Sequence, residues 1–223
     1  MVIALTISVA GAGSSAAPRS ASPCSKAKPF IAGAPSQALL SILGVLRRPA
    51  TAADELPMSI KRALTTSFRF SGVEVFTDYV RRAGVIAGTA YYVMPVFDSG
   101  CSAGALSGVR AQRMMLWGGS GGGGAGDAAT IKDGAGAGTV GAYGHTTIQM
   151  LVPDGVATVT LHYPAGRIGG FNPDHAPAST TTAKVVGNVL VMTVPRSGDR
   201  LDAPMTMTWR GADGTIVKTF NRL

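Results

Sequence analysis

The chain has 223 residues, enough for one ordinary domain and an appendage. Apolar residues make up 46% and charged residues only 14%, against roughly 25% in typical soluble domains, while glycine reaches 30. Together with a net charge of +8 and only two cysteines, this excludes a charge-driven disordered chain, a coiled coil and a disulfide-dense mini-protein.

The first 17 residues read as an export signal. Val2 to Ala10 form an apolar run of signal length, too short to span a bilayer, and Ser15, Ala16 and Ala17 place small side chains where a signal peptidase cuts. No Lys or Arg precedes the run, the one part of such a signal that is missing. A buried N-terminal strand is the competing reading. The expectation is an exported protein, extracellular or held at the cell envelope, without a transmembrane anchor. Residues 18–35, with Pro18, Pro23, Pro29 and Pro35, read as an extended leader. Export permits a disulfide, and Cys24 and Cys101 allow one intramolecular pairing; two unpaired thiols are the alternative.

Residues 36–84 read as a helical segment. Ser36 is placed to cap a helix carrying Leu39, Ile42, Leu43 and Leu46 on one face, with Arg47 and Arg48 in its last turn and Pro49 as its stop. Thr51 and Asp54 have capping-box spacing for a second short helix, interrupted near Pro57. Val73, Phe76 and Val80 give a third helical stripe, ending at Gly84. Residues 85–117 then read as strands, chiefly Thr89 to Phe97 and Arg110 to Trp117. Residues 118–142, including the run Gly118 to Gly126, read as a mobile glycine-rich loop, because glycine at this density loses the most entropy on ordering and buries nothing.

Residues 143–223 read as all β. Short runs at Thr147–Val152, Val156–Tyr163, Lys184–Val186, Val189–Val194, Met205–Trp209 and Thr215–Phe220 are separated in several places by turn signals: Pro153-Asp154-Gly155, Gly187-Asn188 and Ala212-Asp213-Gly214. Ala157, Val159, Leu161 and Tyr163 alternate with Val156, Thr158, Thr160 and His162, the first set being the apolar one, so His162 is expected to face solvent or a sheet edge. The predicted fold is α+β: short N-terminal helices packed on a mainly antiparallel, sandwich-like C-terminal domain of immunoglobulin-like style, without the Cys…Trp…Cys signature of antibody domains.

A resemblance emerges from these segments. Leu43 to Asp54 is similar to the opening of uncharacterised exported proteins of high-GC actinobacteria. Tyr91 to Pro95, Val152 to Leu161, and Trp209 followed by Asp213-Gly214 resemble later parts of the same group. The resemblance spans most of the chain beyond the signal and implies an exported protein with a helical start and a β-rich end. It implies no activity and no catalytic residue.

The residues offer one formal catalytic match. Gly118-Gly119-Ser120-Gly121-Gly122 satisfies the nucleophile-elbow pattern, and Asp154 or Asp174 followed by His175 would complete a triad in the right chain order. The elbow requires a helix directly after the serine, and Gly123-Gly124-Ala125-Gly126 is among the poorest helix-forming sequences. The two GxGxxG matches, from Gly119 and from Gly136, lack a surrounding strand–helix–strand unit. His145, His162 and His175 have no metal-ligand spacing, no CxxC or Cys/His cluster points to zinc, and the only glutamates, Glu55 and Glu74, fall on predicted surface helices. No cofactor or metal is implied.

Two binding signals remain. Tyr91, Tyr92, Tyr143, Tyr163 and Trp209 can line a carbohydrate-type face, with a role in the core as the alternative. Of the charges, 12 basic and 5 acidic residues lie at or before Arg113, partly as the dyads Arg47-Arg48, Lys61-Arg62 and Arg81-Arg82. They read as solvated helix ends or as an attraction for anionic cell-envelope polymers, with no nucleic-acid motif. The reading is an exported, non-catalytic protein with a binding or structural role. The alternatives are a serine hydrolase using Ser120, and a small-ligand or polysaccharide binder.

Overall fold

The computed structural model describes residues 30–222 apart from 69–71, 100, 103–104, 107–110, 120, 136, 143–144, 168–174 and 196–204. The chain opens with β1 (Phe30–Ile31) and two short helices, α1 (Gln37–Ile42) and α2 (Gly44–Arg47). A 3-10 turn at Ala52–Asp54 leads to α3 (Met58–Phe68). The expected capping devices are present: the Ser36 side chain accepts from the Leu39 N–H, and Thr51 and Asp54 form a reciprocal capping box. Helices of six and four residues do not persist alone, so packing holds them. Leu39, Leu43 and Leu46 are fully buried, each a gain of about 1.5–3 kcal/mol over exposure.

The next stretch departs from the helical reading. Residues 73–86 form β2 (Val73–Phe76), a 3-10 turn at Thr77–Tyr79 and β3 (Arg81–Ile86). The stripe of Val73, Phe76 and Val80 mimics a helical period, but in the sequence Val-Glu-Val-Phe the two valines also alternate, and β-branched residues favour a pleated surface. Glu74 therefore lies in a strand.

Then come β4 (Thr89–Asp98), the two-residue strands β5 (Cys101–Ser102) and β6 (Ala105–Leu106), β7 (Ala111–Gly118) and β8 (Gly121–Gly126). The first sheet has the order β1-β2-β4-β7-β8, with β3 also paired to β4. Both its faces are covered. Tyr91, Val93, Met114 and Leu116 pack with α1 and α2, whereas Tyr92, Met94, Val96 and Met115 pack with Leu56 and Leu64 on the other side. This is why β4 is buried continuously from Tyr91 to Val96 rather than alternately.

Strand β8 and the two elements after it correct the loop expected over 118–142. Gly121–Gly126 is a strand antiparallel to β7, succeeded by the short helix α4 (Ala128–Lys132) and β9 (Ala137–Ala142). Aromatic rings supply what the glycines lack. Tyr91 lies across Gly118, its partner in β7, and the Trp117 ring lies across Gly122, its partner in β8; a Cβ at either glycine would overlap the ring. Beyond α4, Gly134 adopts a positive φ of 63° and meets Met207, Trp209 and Phe220 at 2.9–3.1 Å from where a Cβ would stand. Lys218 Nζ donates to the Lys132 carbonyl and to Asp133, fastening the end of α4 to the last strand.

The remaining strands are β10 (His145–Leu151), β11 (Thr158–Tyr163), β12 (Gly166–Arg167), β13 (His175–Ala176), β14 (Ser179–Val186), β15 (Val189–Pro195), β16 (Met205–Arg210) and β17 (Ile216–Arg222). Seven strands form the second sheet, all antiparallel, in the order β17-β16-β11-β14-β15-β10-β9. The predicted alternation holds within β11, where Val159, Leu161 and Tyr163 are buried and His162 is exposed, its Nδ1 2.9 Å from Thr180 Oγ1. It fails just before β11, where Val156, expected on the outward face, is buried in the core. Gly187 and Asn188 both have positive φ between β14 and β15, the mirror-image hairpin turn their sequence calls for. The inner faces of this sheet pack on one another around Trp209, Met150, Leu161, Leu190 and Met207, so it curls into a half-barrel. The protein is thus mostly β with two sheets, and the helices of residues 36–68 belong chiefly to the first rather than to the C-terminal strands.

Candidate functional site

The clusters of charge are the first places to look for chemistry, and each is occupied by structure. Asp54 has only 4% of its side chain exposed. It accepts from both terminal nitrogens of Arg48, from the Arg82 N–H, and from the Thr51 N–H and hydroxyl. Burial pushes its pKa up, but these donors outweigh burial and hold it far below the ordinary carboxyl range. Arg48 also donates to the Arg82 carbonyl, and the buried Arg81 donates to the carbonyls of Arg48, Asp78 and Val80. A carboxylate with five donors has no lone pair free to act as a base.

Asp154 does similar work between the layers. It accepts from the Gly44 N–H at 2.7 Å, from Arg47 at 2.7 Å and from Asn188 Nδ2 at 2.9 Å. Asn188 Oδ1 takes the Val45 N–H at 2.9 Å, so two residues of the second sheet's turns cap the start of α2. Partial burial raises the Asp154 pKa, while the Asn188, Gly44 and Arg47 hydrogen bonds lower it further than burial raises it. Of the basic dyads, Arg48 and Arg81 are tied into the structure, Arg47 pairs with Asp154 while staying half exposed, and Arg82 Nε is buried without a partner among the described residues. In the third, Lys61 pairs with Glu55 at 2.9 Å.

The catalytic match is not assembled by what surrounds it. Gly118 pairs with Gly121 across an antiparallel hairpin, so the chain around Ser120 runs strand to strand and lacks the helix an elbow needs. Ser120 and Asp174 lie outside the described residues, and His175 begins β13, which among the described residues pairs with β12 alone. The described residues of the GxGxxG match from Gly119 fall in the β7–β8 hairpin and those of the second match, residues 137–141, in β9, where neither opens a helix. Among the described residues no three metal-ligating side chains converge. Cys24 lies outside the described residues, and with it the Cys24–Cys101 pairing.

The described members of the expected aromatic face do not form one exposed surface. Tyr91, Tyr92, Tyr163 and Trp209 are all buried in the cores, and Tyr143 lies outside the described residues. Two aromatics line a groove: Tyr92, and Trp117, which was not among the aromatics expected to bind.

That groove, of about 450 Å³, runs between the start of α3 and the ends of β4 and β7. Pro57, Ser59 and Ile60 form one wall, Thr89, Ala90 and Tyr92 the other, and Trp117, Gly119 and Gly121 complete the lining. Each part is placed by local rules. Pro57 has no N–H to lose at the helix entrance, and α3 then lies down on Leu64 and Ile60. The Ala87-Gly88 turn returns the chain so that Thr89 and Ala90 face Ile86 and Val85 of β3. In β7, Met114 and Leu116 turn to one face, so Met115 and Trp117 turn to the other, where α3 lies. Gly122 supplies the flat floor beneath the indole.

Among the described residues, the lining carries no charged side chain. It combines an indole, a phenol, aliphatic and proline surface, the hydroxyl-bearing Ser59 and Thr89, and two glycines. Such a surface can bind by stacking and neutral hydrogen bonding. No protein-family model matches this chain, and neither a curated protein nor a solved structure matches it.

Proposed function

We propose that this is an exported, non-catalytic binding protein that holds its ligand in the Trp117 groove. The observation that carries the reading is the contrast between the two kinds of polar site. Asp54 is saturated by five structural donors and Asp154 is held by three, while the groove brings the Trp117 indole, three hydroxyl-bearing side chains and two glycines to a concave surface.

Export rests on the signal-like residues 1–17 and on the similarity of Leu43 to Asp54 and the later segments to exported actinobacterial proteins. The sandwich-like, immunoglobulin-like reading of the C-terminal strands is supported by the position of β10 and β11 on either side of the β14–β15 hairpin, a Greek-key style of return.

Fractionation of the producing cells with N-terminal sequencing tests the address. Protein recovered outside the cytosol and beginning at Pro18 is expected; protein retained in the cytosol with Met1 intact would overturn it. A fluorophosphonate probe tests the absence of catalysis, since specific labelling of Ser120 would make the chain a hydrolase.

A further inference from the structure

We propose that the Trp117 groove takes a neutral saccharide, an inference that rests on reading this groove as the binding site. The chain carries a net charge of +8, yet none of the nine lining residues is charged. An ionised ligand would leave water here for a surface without a counter-charge, which is costly. The occupant is therefore uncharged over the part that enters.

The lining also excludes a purely apolar occupant. Ser59 and Thr89 bring hydroxyl-bearing side chains to opposite walls, Tyr92 adds a phenol, and Gly119 and Gly121 line the groove without side chains of their own. A pyranose ring has the complementary pair of surfaces, a C–H-rich face that stacks on an aromatic ring and a rim of hydroxyls that both donate and accept. The indole matches the first, and the hydroxyl-bearing walls match the second. The volume of about 450 Å³ falls within the range of small-molecule sites, roughly 300–1,000 Å³.

Trp117 is prepared for this role before any ligand arrives. Its six-membered ring lies on Gly122, and it packs against the core of Tyr92, Met94 and Met115. A platform fixed in advance loses little side-chain freedom on binding. Gly122 is accordingly a positioning residue: it touches the indole and lies outside the groove lining.

Calorimetric titration of the full-length mature protein with cellopentaose, maltopentaose and mannopentaose tests the proposal, with oligogalacturonate as the anionic control and a proline-rich decapeptide as the peptide control. At least one neutral oligosaccharide is expected to bind. Trp117→Ala is expected to weaken it by at least about tenfold, and Trp117→Phe by less. Gly122→Ala is expected to weaken it as well, with Ser59 and Thr89 intact, and Gly123→Ala to leave it unchanged. Circular dichroism and melting of each variant separate a lost site from a lost fold, and Trp117→Phe supplies the conservative case. If only oligogalacturonate or the peptide binds, and Trp117→Ala abolishes that, the saccharide inference fails while the groove reading stands. If a saccharide binds equally well to Trp117→Ala, the groove reading fails. Binding by none of the three saccharides overturns the inference.

Discussion

Alanine at two adjacent positions of β8 separates a true strand from a loop. At Gly122 a Cβ would overlap the Trp117 ring, whereas at Gly123 it would meet nothing within 4 Å, and neither glycine has a positive φ. Replacing glycine by alanine at a permissive position stabilises by about 0.4–1 kcal/mol, because the unfolded chain has less freedom to lose. Gly123→Ala should show that gain. At Gly122 the same gain is set against overpacking of about 1–3 kcal/mol as the indole is forced from its floor. The net expectation is destabilisation by about 1 kcal/mol, and a separation between the two variants near 2 kcal/mol. Urea denaturation monitored by circular dichroism reads this as midpoints shifted in opposite directions with unchanged slope. Equal shifts of the same sign would refute the reasoning, since in a loop without cross-strand stacking the two positions are equivalent.

Other substitutions rest on the same physics. Asp54→Ala leaves Arg48 without its carboxylate and the Arg82 and Thr51 N–H groups without an acceptor, so a loss of about 3 kcal/mol is expected in the same assay. Ala87 sits at φ 49° ahead of Gly88 at φ 80°, a turn in which asparagine is preferred at the first position, so Ala87→Asn should raise stability by about 0.5–1 kcal/mol in thermal melts. The pKa values of Asp54 and Asp154 are both lowered in the folded protein. Their contribution is therefore complete above the unfolded value of about 3.9 and is lost as pH falls through the lower folded values. The urea midpoint should fall as the buffer is taken below about pH 4, and a midpoint that rises on acidification would contradict this.

Much of the second sheet was legible in the sequence because its strands obey local rules. The alternation in β11 and the Gly187-Asn188 turn each need only a few neighbouring residues. Ser36 and the Thr51–Asp54 box were legible for the same reason. What misled was long-range. Glycine at 121–124 carries no local signal for a strand, and its order comes from Trp117, Leu116 and Met115 across the ladder. The stretch Val73–Val80 was ambiguous because its apolar spacing suits either period, and pairing with β4 decides it. Arg47 and Arg48 look solvated until Asp154, more than a hundred residues away, and Asp54 are brought to them. Trp117 was hidden for a related reason: nothing in its own neighbourhood says that α3 will form a wall beside it. A cue was present in the tryptophan with two glycines after it at a strand end, where the chain leaves an aromatic face uncovered.

The central claim, that Trp117 faces the ligand, is tested most directly by the two tryptophan indole N–H resonances. The chain has only Trp117 and Trp209, and Trp209 is 1% exposed inside the curled sheet. Nitrogen–proton correlation spectra of the mature protein, recorded during titration with cellopentaose, maltopentaose and mannopentaose in turn, should show the Trp117 indole resonance moving with at least one of them while Trp209 stays in place. Movement of Trp209 alone, or binding detected by calorimetry with the Trp117 resonance unmoved, would contradict the claim.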